Sequence, residues 1–126
     1  MYIRIAITDD LDALATLFNG YRMCLGKESN LSDCRSFIQA RLFENDSVIF
    51  IAFKANVPVG FIQLFPSYST ILLKPLWYFD DLYVADEYRG TGIGTDLVAK
   101  AKELADETQV VAVRRGKIDG EGFLLI

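Results

Sequence analysis

The sequence contains no histidine. A Ser-His or Cys-His nucleophilic dyad therefore has no base, and a zinc site built on imidazole has no ligands, which removes most hydrolase chemistries. Cysteine is scarce. Cys24 and Cys34 lie on either side of a loop running from Gly26 to Asn30; two cysteines make no disulfide framework and are expected to be buried thiols. No apolar run reaches the ~18 residues of a membrane span, and the first ten residues lack the basic start and long apolar stretch of a signal peptide. A cytoplasmic protein that does not engage a membrane is expected. Positive charge is also in deficit, with 13 Lys and Arg against 17 Asp and Glu and a formal net charge of −4. Such a chain has no footprint for a polyanion, because nucleic-acid binding rests on Lys and Arg that neutralise phosphates.

What the sequence does have is core material. Its 126 residues are 52% apolar and 13% aromatic, enough for one domain and too few for two. Ile3, Ile5 and Ile7 alternate around Arg4 in the pattern of a half-buried strand. Thr8 or Asp9 then caps a helix whose apolar residues Leu11, Leu14, Ala15, Phe18 and Tyr21 recur at helical spacing. Ser29 or Asn30 caps a second helix, with Leu31, Cys34, Ile38 and Leu42 on one face, that ends near Asn45. Residues Ser47 to Lys54 are too apolar and β-branched for a surface helix, and Ala55-Asn56 returns the chain into Val57 to Phe65, so a β-hairpin is expected. Pro66 to Ser69 breaks the pattern before a strand from Trp77 to Val84. A third helix ends near Glu107, and a last strand covers Gln109 to Val113. The order is βααβββαβ.

Between the strand ending at Val84 and the third helix lies Arg89-Gly90-Thr91-Gly92-Ile93-Gly94-Thr95. Glycines allow a tight turn and close backbone approach, and the leading amides of a helix are unpaired donors at its positive end, so the segment suits a pyrophosphate. A Walker loop would end in Gly-Lys-Ser/Thr, where this chain has Gly94-Thr95-Asp96. A dinucleotide fingerprint starting at Gly90 would need glycine at Thr95. Neither fits. For glycines alone, a plain strand-to-helix turn is an equal explanation.

The longer stretch Asp80-Asp81-Leu82-Tyr83-Val84-Ala85-Asp86-Glu87-Tyr88-Arg89-Gly90-Thr91-Gly92-Ile93-Gly94 resembles motif A of the GNAT acetyltransferases, whose Arg/Gln-x-x-Gly-x-Gly/Ala falls on Arg89, Gly92 and Gly94. Upstream, Val59 to Ser69 is similar to the strand and loop before motif A. Tyr21-Arg22 and the Ser47 to Phe53 strand fit as well, so the resemblance spans about residues 2 to 113. It implies an α/β (α+β) fold, with a mixed, mostly antiparallel sheet flanked by helices. It also implies acetyl-CoA as cosubstrate, no metal, and transfer of the acetyl group to a primary amine on a small molecule or peptide by direct attack, a backbone amide stabilising the oxyanion. Leu82, Tyr83 and Val84 would face the pantetheine arm, with the backbone of Leu82 and Val84 pairing to it. The amides of Arg89, Gly90, Thr91, Gly92, Ile93, Gly94 and Thr95 would hold the pyrophosphate, with a charge contact from Arg89. Asp80 is the candidate for binding the amine or acting as general base; by strand alternation Asp81 is expected on the opposite face. Tyr68, Trp77, Tyr78 and Phe79 are candidates to line an acceptor pocket, but most are expected in the core, where aromatic residues in and beside strands usually lie.

Residues 1–113 thus form a GNAT-like domain and 114–126 a divergent tail, since relatives continue through another helix and two strands and this sequence has no tyrosine after Tyr88. The tail reads as a truncated or frame-shifted end. It raises an alternative, a catalytically inactive relative that binds CoA weakly or serves as an interaction module. The uncovered edge of the strand 109–113, with Phe123-Leu124-Leu125-Ile126 as a partner strand, implies a homo-oligomer.

Overall fold

The computed structural model describes residues 1–110 and 113–115. Strand β1 (Tyr2–Ile5) leads through a 3-10 turn at Thr8–Asp10 into α1 (Leu11–Cys24), and α2 (Leu31–Glu44) follows. Then come β2 (Val48–Lys54), β3 (Val57–Ser69), β4 (Lys74–Val84), a 3-10 turn at Asp86–Tyr88, α3 (Ile93–Glu107) and β5 (Val113–Arg115). The five strands form one sheet in the order β1-β2-β3-β4-β5; the first four are antiparallel neighbours, and β5 joins β4 in parallel. The order βααβββαβ and the mixed α/β class are as expected from the sequence.

Local chemistry sets the boundaries. The Asp10 carboxylate, rather than Thr8 or Asp9, organises the start of α1: it accepts from the Ile7 amide at 2.8 Å and takes both ends of the Arg4 guanidinium at 2.7 and 2.9 Å. This pins β1 to the first helix. Asn30 caps α2 by accepting from the Asp33 amide, and Asn45 closes it in the left-handed region.

Two apolar layers cover the sheet. Leu14, Phe18 and Ile38 of α1 and α2 pack on Ile49, Ile51 and Phe61 on one face, with the Phe18 and Phe61 rings stacked at 4.1 Å. On the other face Ile93, Leu97 and Ala101 of α3 pack on Phe50, Ile62, Leu64 and Phe79.

Three boundaries differ from the sequence expectations. The β3 and β4 strands extend beyond Phe65 and start before Trp77, through Pro66 and Pro75. Their register pairs Pro66 with Trp77 and Tyr68 with Pro75, two positions in the same phase of the ladder. Antiparallel ladders alternate bonded and non-bonded pairs, so both prolines occupy positions whose nitrogens need no partner in the neighbouring strand. The last strand is not Gln109 to Val113: Gln109 has φ 55° and belongs to the turn after α3, and β5 is Val113–Arg115. Cys34 is buried as expected, whereas Cys24 is exposed. The tail beyond Arg115, including Phe123 to Ile126, lies outside the described residues.

Candidate active site

The site grows from an irregularity in β4. Between the pairs Phe65–Tyr78 and Gln63–Asp81, β4 advances three residues while β3 advances two, so β4 carries one extra residue at Phe79–Asp80. A bulge of this kind breaks alternation and bends the strand. Phe79 packs with the α3 layer, and Asp81 on the opposite face accepts from the Tyr21 hydroxyl of α1 at 3.1 Å. The Asp80 carboxylate turns to Tyr78, whose hydroxyl donates to it at 2.6 Å. Tyr78 lies on the α1 side, opposite Phe65 in a register where Phe61 and Gln63 also face α1. The two aspartates are therefore not on opposite faces as strand alternation would have it, because the inserted residue resets the period.

Asp81 ends a chain of buried polar contacts. Ser47 donates to Gln63 Oε1 at 2.9 Å, and Gln63 Nε2 donates to Asp81 Oδ2 at 3.0 Å, which also fixes the orientation of the Gln63 amide. Gln63 is 1% exposed. Burial raises the Asp81 carboxyl above its ordinary value; the Gln63 and Tyr21 donors pull it down and the neighbouring Asp80 charge pushes it up. The Tyr78 phenol is pushed up to about 12, first by its bond to Asp80 and then by burial, so it remains a proton donor at neutral pH. One Asp80 oxygen, Oδ1, is buried with no hydrogen-bond partner among the described residues.

A cavity of about 390 Å³ opens between α1, α2 and the sheet, lined by Phe18, Tyr21, Arg22, Asn30, Asp33, Cys34, Phe37, Gln63 and Asp81. Asp81 lines it; Asp80 does not. Of the aromatic group considered from the sequence, Phe79 is buried, Trp77 and Tyr78 are half-buried and Tyr68 is 81% exposed.

At the far end of β4, the backbone sets up the ligand-facing edge. The amide of Ala85 donates to the Val59 carbonyl at 2.8 Å, so odd-numbered residues of this stretch turn their backbone groups toward β3. The backbone groups of Leu82 and Val84 therefore point away from β3. Among the described residues, β5 pairs with β4 only at Trp77, Tyr78 and Phe79, so it stops short of them. Tyr83, by contrast, turns its ring to the α1 layer beside Tyr21 and Phe61.

The glycine turn follows at once. Gly90 and Gly92 have φ of 78° and 90°, and a Cβ added to either would meet nothing within 4 Å. Thr91 closes the turn by donating its hydroxyl to the Tyr88 carbonyl at 2.6 Å. Gly92 offers α3 no side-chain cap, and the bond from the Asp96 amide to the Gly92 carbonyl leaves the amides of Ile93, Gly94 and Thr95 as the helix's leading donors. An open turn with glycine at two of its positions, ending in helical amides that have no partner among the described residues, fits a pyrophosphate.

Arg89 is placed differently from the phosphate contact expected of it. Its Nε donates to the Val84 carbonyl at 2.7 Å, Nη1 pairs with Asp86 at 2.6 Å, Nη2 lies 3.5 Å from Cys24 Sγ, and the guanidinium sits over the Tyr83 ring. It braces the end of β4. Gln63 and Tyr21 are not singled out from the sequence as site residues, and Tyr78 is weighed there for an acceptor pocket but expected in the core. The signal for Gln63 is a single amide inside the apolar run Val59 to Phe65; Tyr21 enters from the sequence only on the face of the first helix and as part of the family resemblance.

Comparison with known proteins agrees with this geometry. The sequence profile of the acetyltransferase (GNAT) family matches residues 12–115. The chain is 38% identical over 107 residues to the uncharacterized N-acetyltransferase YhfO of Bacillus subtilis, covering 85% of this chain and 72% of that protein. It is 34% identical over 124 residues to a probable acetyltransferase of Haemophilus influenzae, covering 92% and 85%. The crystal structure of a probable acetyltransferase superposes with a TM-score of 0.86 at 38% identity, over 96% of this chain and 82% of that one. A predicted acetyltransferase from Clostridium acetobutylicum, crystallised with acetyl-CoA, shares the fold at a TM-score of 0.76 and 20% identity, over 96% of this chain and 82% of that one. With its bulged fourth strand, glycine turn and third helix all inside the matched span, the chain belongs to the GNAT acetyltransferase family.

Proposed function

We propose that the protein transfers an acetyl group from acetyl-CoA to a primary amine by direct attack. The observation that supports this is that one strand, β4, carries both the ligand-facing edge and the aspartate at the cavity. The outward backbone of Leu82 and Val84 runs into the open glycine turn and the free amides of α3, and the opposite side of the same strand presents Asp81 to a cavity. Acetyl-CoA supplies an activated thioester carbonyl. The chain supplies position and electrostatics: Leu82 and Val84 offer strand-like hydrogen bonds to an extended amide chain, and Gly92 to Thr95 neutralise phosphate with backbone dipoles. Asp81 and Asp80 provide negative charge near the attacking amine, for binding it and accepting its proton directly or through water.

Gly92→Val places a β-branched residue at φ 90°, where only glycine is unstrained, and covers the turn. Affinity for acetyl-CoA measured by calorimetry is expected to fall by roughly tenfold or more, about 1.4 kcal/mol or more. Normal binding by a folded Gly92→Val protein would remove the turn from the site.

A second function is favoured by Arg89. Its bond to the Val84 carbonyl engages a group that the pantetheine arm would otherwise use, which suits a protein that holds CoA weakly without turnover. Acetyl-CoA titration followed by an acetylation assay over a panel of amines separates the two. Binding without any acetylated product selects the second.

A further inference from the structure

The cavity beside Asp81 carries charges of both signs, and one of them is unmatched. Of the five arginines in residues 1–110, Arg4, Arg35, Arg41 and Arg89 each form an ion pair with an aspartate. Arg22 does not. It is half-buried at the end of α1, lines the cavity, and its guanidinium has no hydrogen bond or ion pair among the described residues. A guanidinium drawn partly out of water gains most from a carboxylate, which it meets with two parallel hydrogen bonds.

The cavity's carboxylates are unequal. Asp33 is exposed and already accepts from the Asn30 side chain at 2.8 Å. Asp81 is half-buried on the sheet side, and each of its oxygens accepts one hydrogen bond, leaving lone pairs for an ammonium. Phe18 and Phe37 supply apolar wall to the same cavity. At about 390 Å³ the space is at the small end of ligand cavities, which run from about 300 to 1,000 Å³. A simple amine would satisfy Asp81 and leave Arg22 without a partner; a molecule with both charges satisfies both.

We propose that the acetyl acceptor is a small zwitterion, an amino acid or related amino-carboxylate with an apolar side chain, its ammonium held at Asp81 and its carboxylate at Arg22. This rests on the acetyltransferase function proposed above and names its substrate class. The atoms balance: the ammonium first loses one proton to a carboxylate or water, the neutral amine nitrogen bonds to the acetyl carbon as the carbon–sulfur bond breaks, and the second proton that leaves the nitrogen is taken up by the thiolate, which departs as CoA.

The test is calorimetric titration of the full chain, in the presence of CoA, with L-phenylalanine, L-leucine and L-methionine, each beside its decarboxylated amine and its deaminated acid. At least one amino acid is expected to bind roughly tenfold or more tightly than both of its counterparts. Arg22→Gln should erase the advantage over the amine by lowering amino-acid affinity, with circular dichroism and thermal melting reporting that the variant is folded; Arg22→Lys should restore part of it. In steady-state assays the Arg22→Gln loss should fall on KM rather than kcat. Amines that bind as tightly as their amino acids, an Arg22→Gln protein with unaltered preference, or no binding by any of the three amino acids would each overturn the inference. Separate assays of acetyl-CoA binding and of simple-amine acetylation tell its failure from that of the reaction class. A protein that acetylates simple amines without preferring zwitterions remains an acetyltransferase, and one that binds zwitterions but no acetyl-CoA does not.

Discussion

The Asp81 carboxylate meets two opposing demands. Burial favours its neutral form, while the Tyr21 and Gln63 donors favour the anion that an incoming ammonium needs. The balance depends on Gln63, because the Gln63 amide is the only described link between Asp81 and Ser47. Gln63→Leu keeps the volume roughly and removes the polarity, so Ser47 and one Asp81 oxygen lose their partner in a buried setting. A loss of about 2–3 kcal/mol in denaturant unfolding is expected, together with a further rise of the Asp81 carboxyl that moves amine binding to higher pH. An unfolding midpoint within error of the parent would mean that solvent reaches both groups. At this scale the sequence was only partly legible. The glycines of the turn stand out, but by themselves they fit a plain strand-to-helix turn equally well, and only the longer stretch from Asp80 to Gly94 distinguishes them. Strand alternation puts Asp80 and Asp81 on opposite faces because it presumes an unbroken ladder, and a phosphate contact is expected of Arg89 because nothing in a sequence shows that a long side chain folds back onto its own strand.

Elements were more legible than side chains, because helix periodicity and caps are local. The Asn30 cap, the end of α3 near Glu107 and the turn at Ala55-Asn56 all follow from neighbours in sequence. What escaped was non-local. Pro66 and Pro75 ended the expected strands, yet a hairpin tolerates proline wherever the nitrogen faces outward, and that phase is fixed only by the partner strand. The bulge in β4 is likewise a property of the β3–β4 pair. Gly60 tests how tightly that pair is set. It stands opposite Val84, and a Cβ placed on it would lie 2.7 Å from the Tyr83 carbonyl oxygen, a backbone atom that cannot rotate away. Gly60→Ala is expected to cost about 2–3 kcal/mol and to displace the Tyr83–Val84 backbone. Acetyl-CoA affinity should then fall along with thermal stability. Stability lost with affinity intact would separate the ladder from the site.

For the molecule as a whole, two aspartates pull its pH dependence in opposite directions. Asp10 is lowered from its ordinary value of 3.8, first by its hydrogen bonds to Arg4, with the Ile7 amide and the Arg4 charge assisting and burial opposing. A lowered carboxyl stabilises the fold when ionised, so its contribution is present above the unfolded value and fades as pH falls through the folded one. Arg4 is 42% exposed, so the ion pair is partly screened and its contribution is modest. Asp81 is raised, which means that the fold prefers it protonated: its favourable contribution exists in acid and is lost as pH rises through its folded value. At neutral pH the ionised Asp81 therefore works against stability. Asn in its place can still accept from Gln63 and donate to Tyr21, so Asp81→Asn should melt higher than the parent at neutral pH, with the difference shrinking in acid. Asp10→Asn should melt lower at neutral pH, and that difference should also shrink as pH falls below 3.8. Melting temperatures of the three proteins from pH 3 to 8 provide the check, and three parallel curves would show that neither carboxyl is coupled to folding. Under the proposed function Asp81 is the partner of the amine, so Asp81→Asn should raise stability at neutral pH while weakening amine binding.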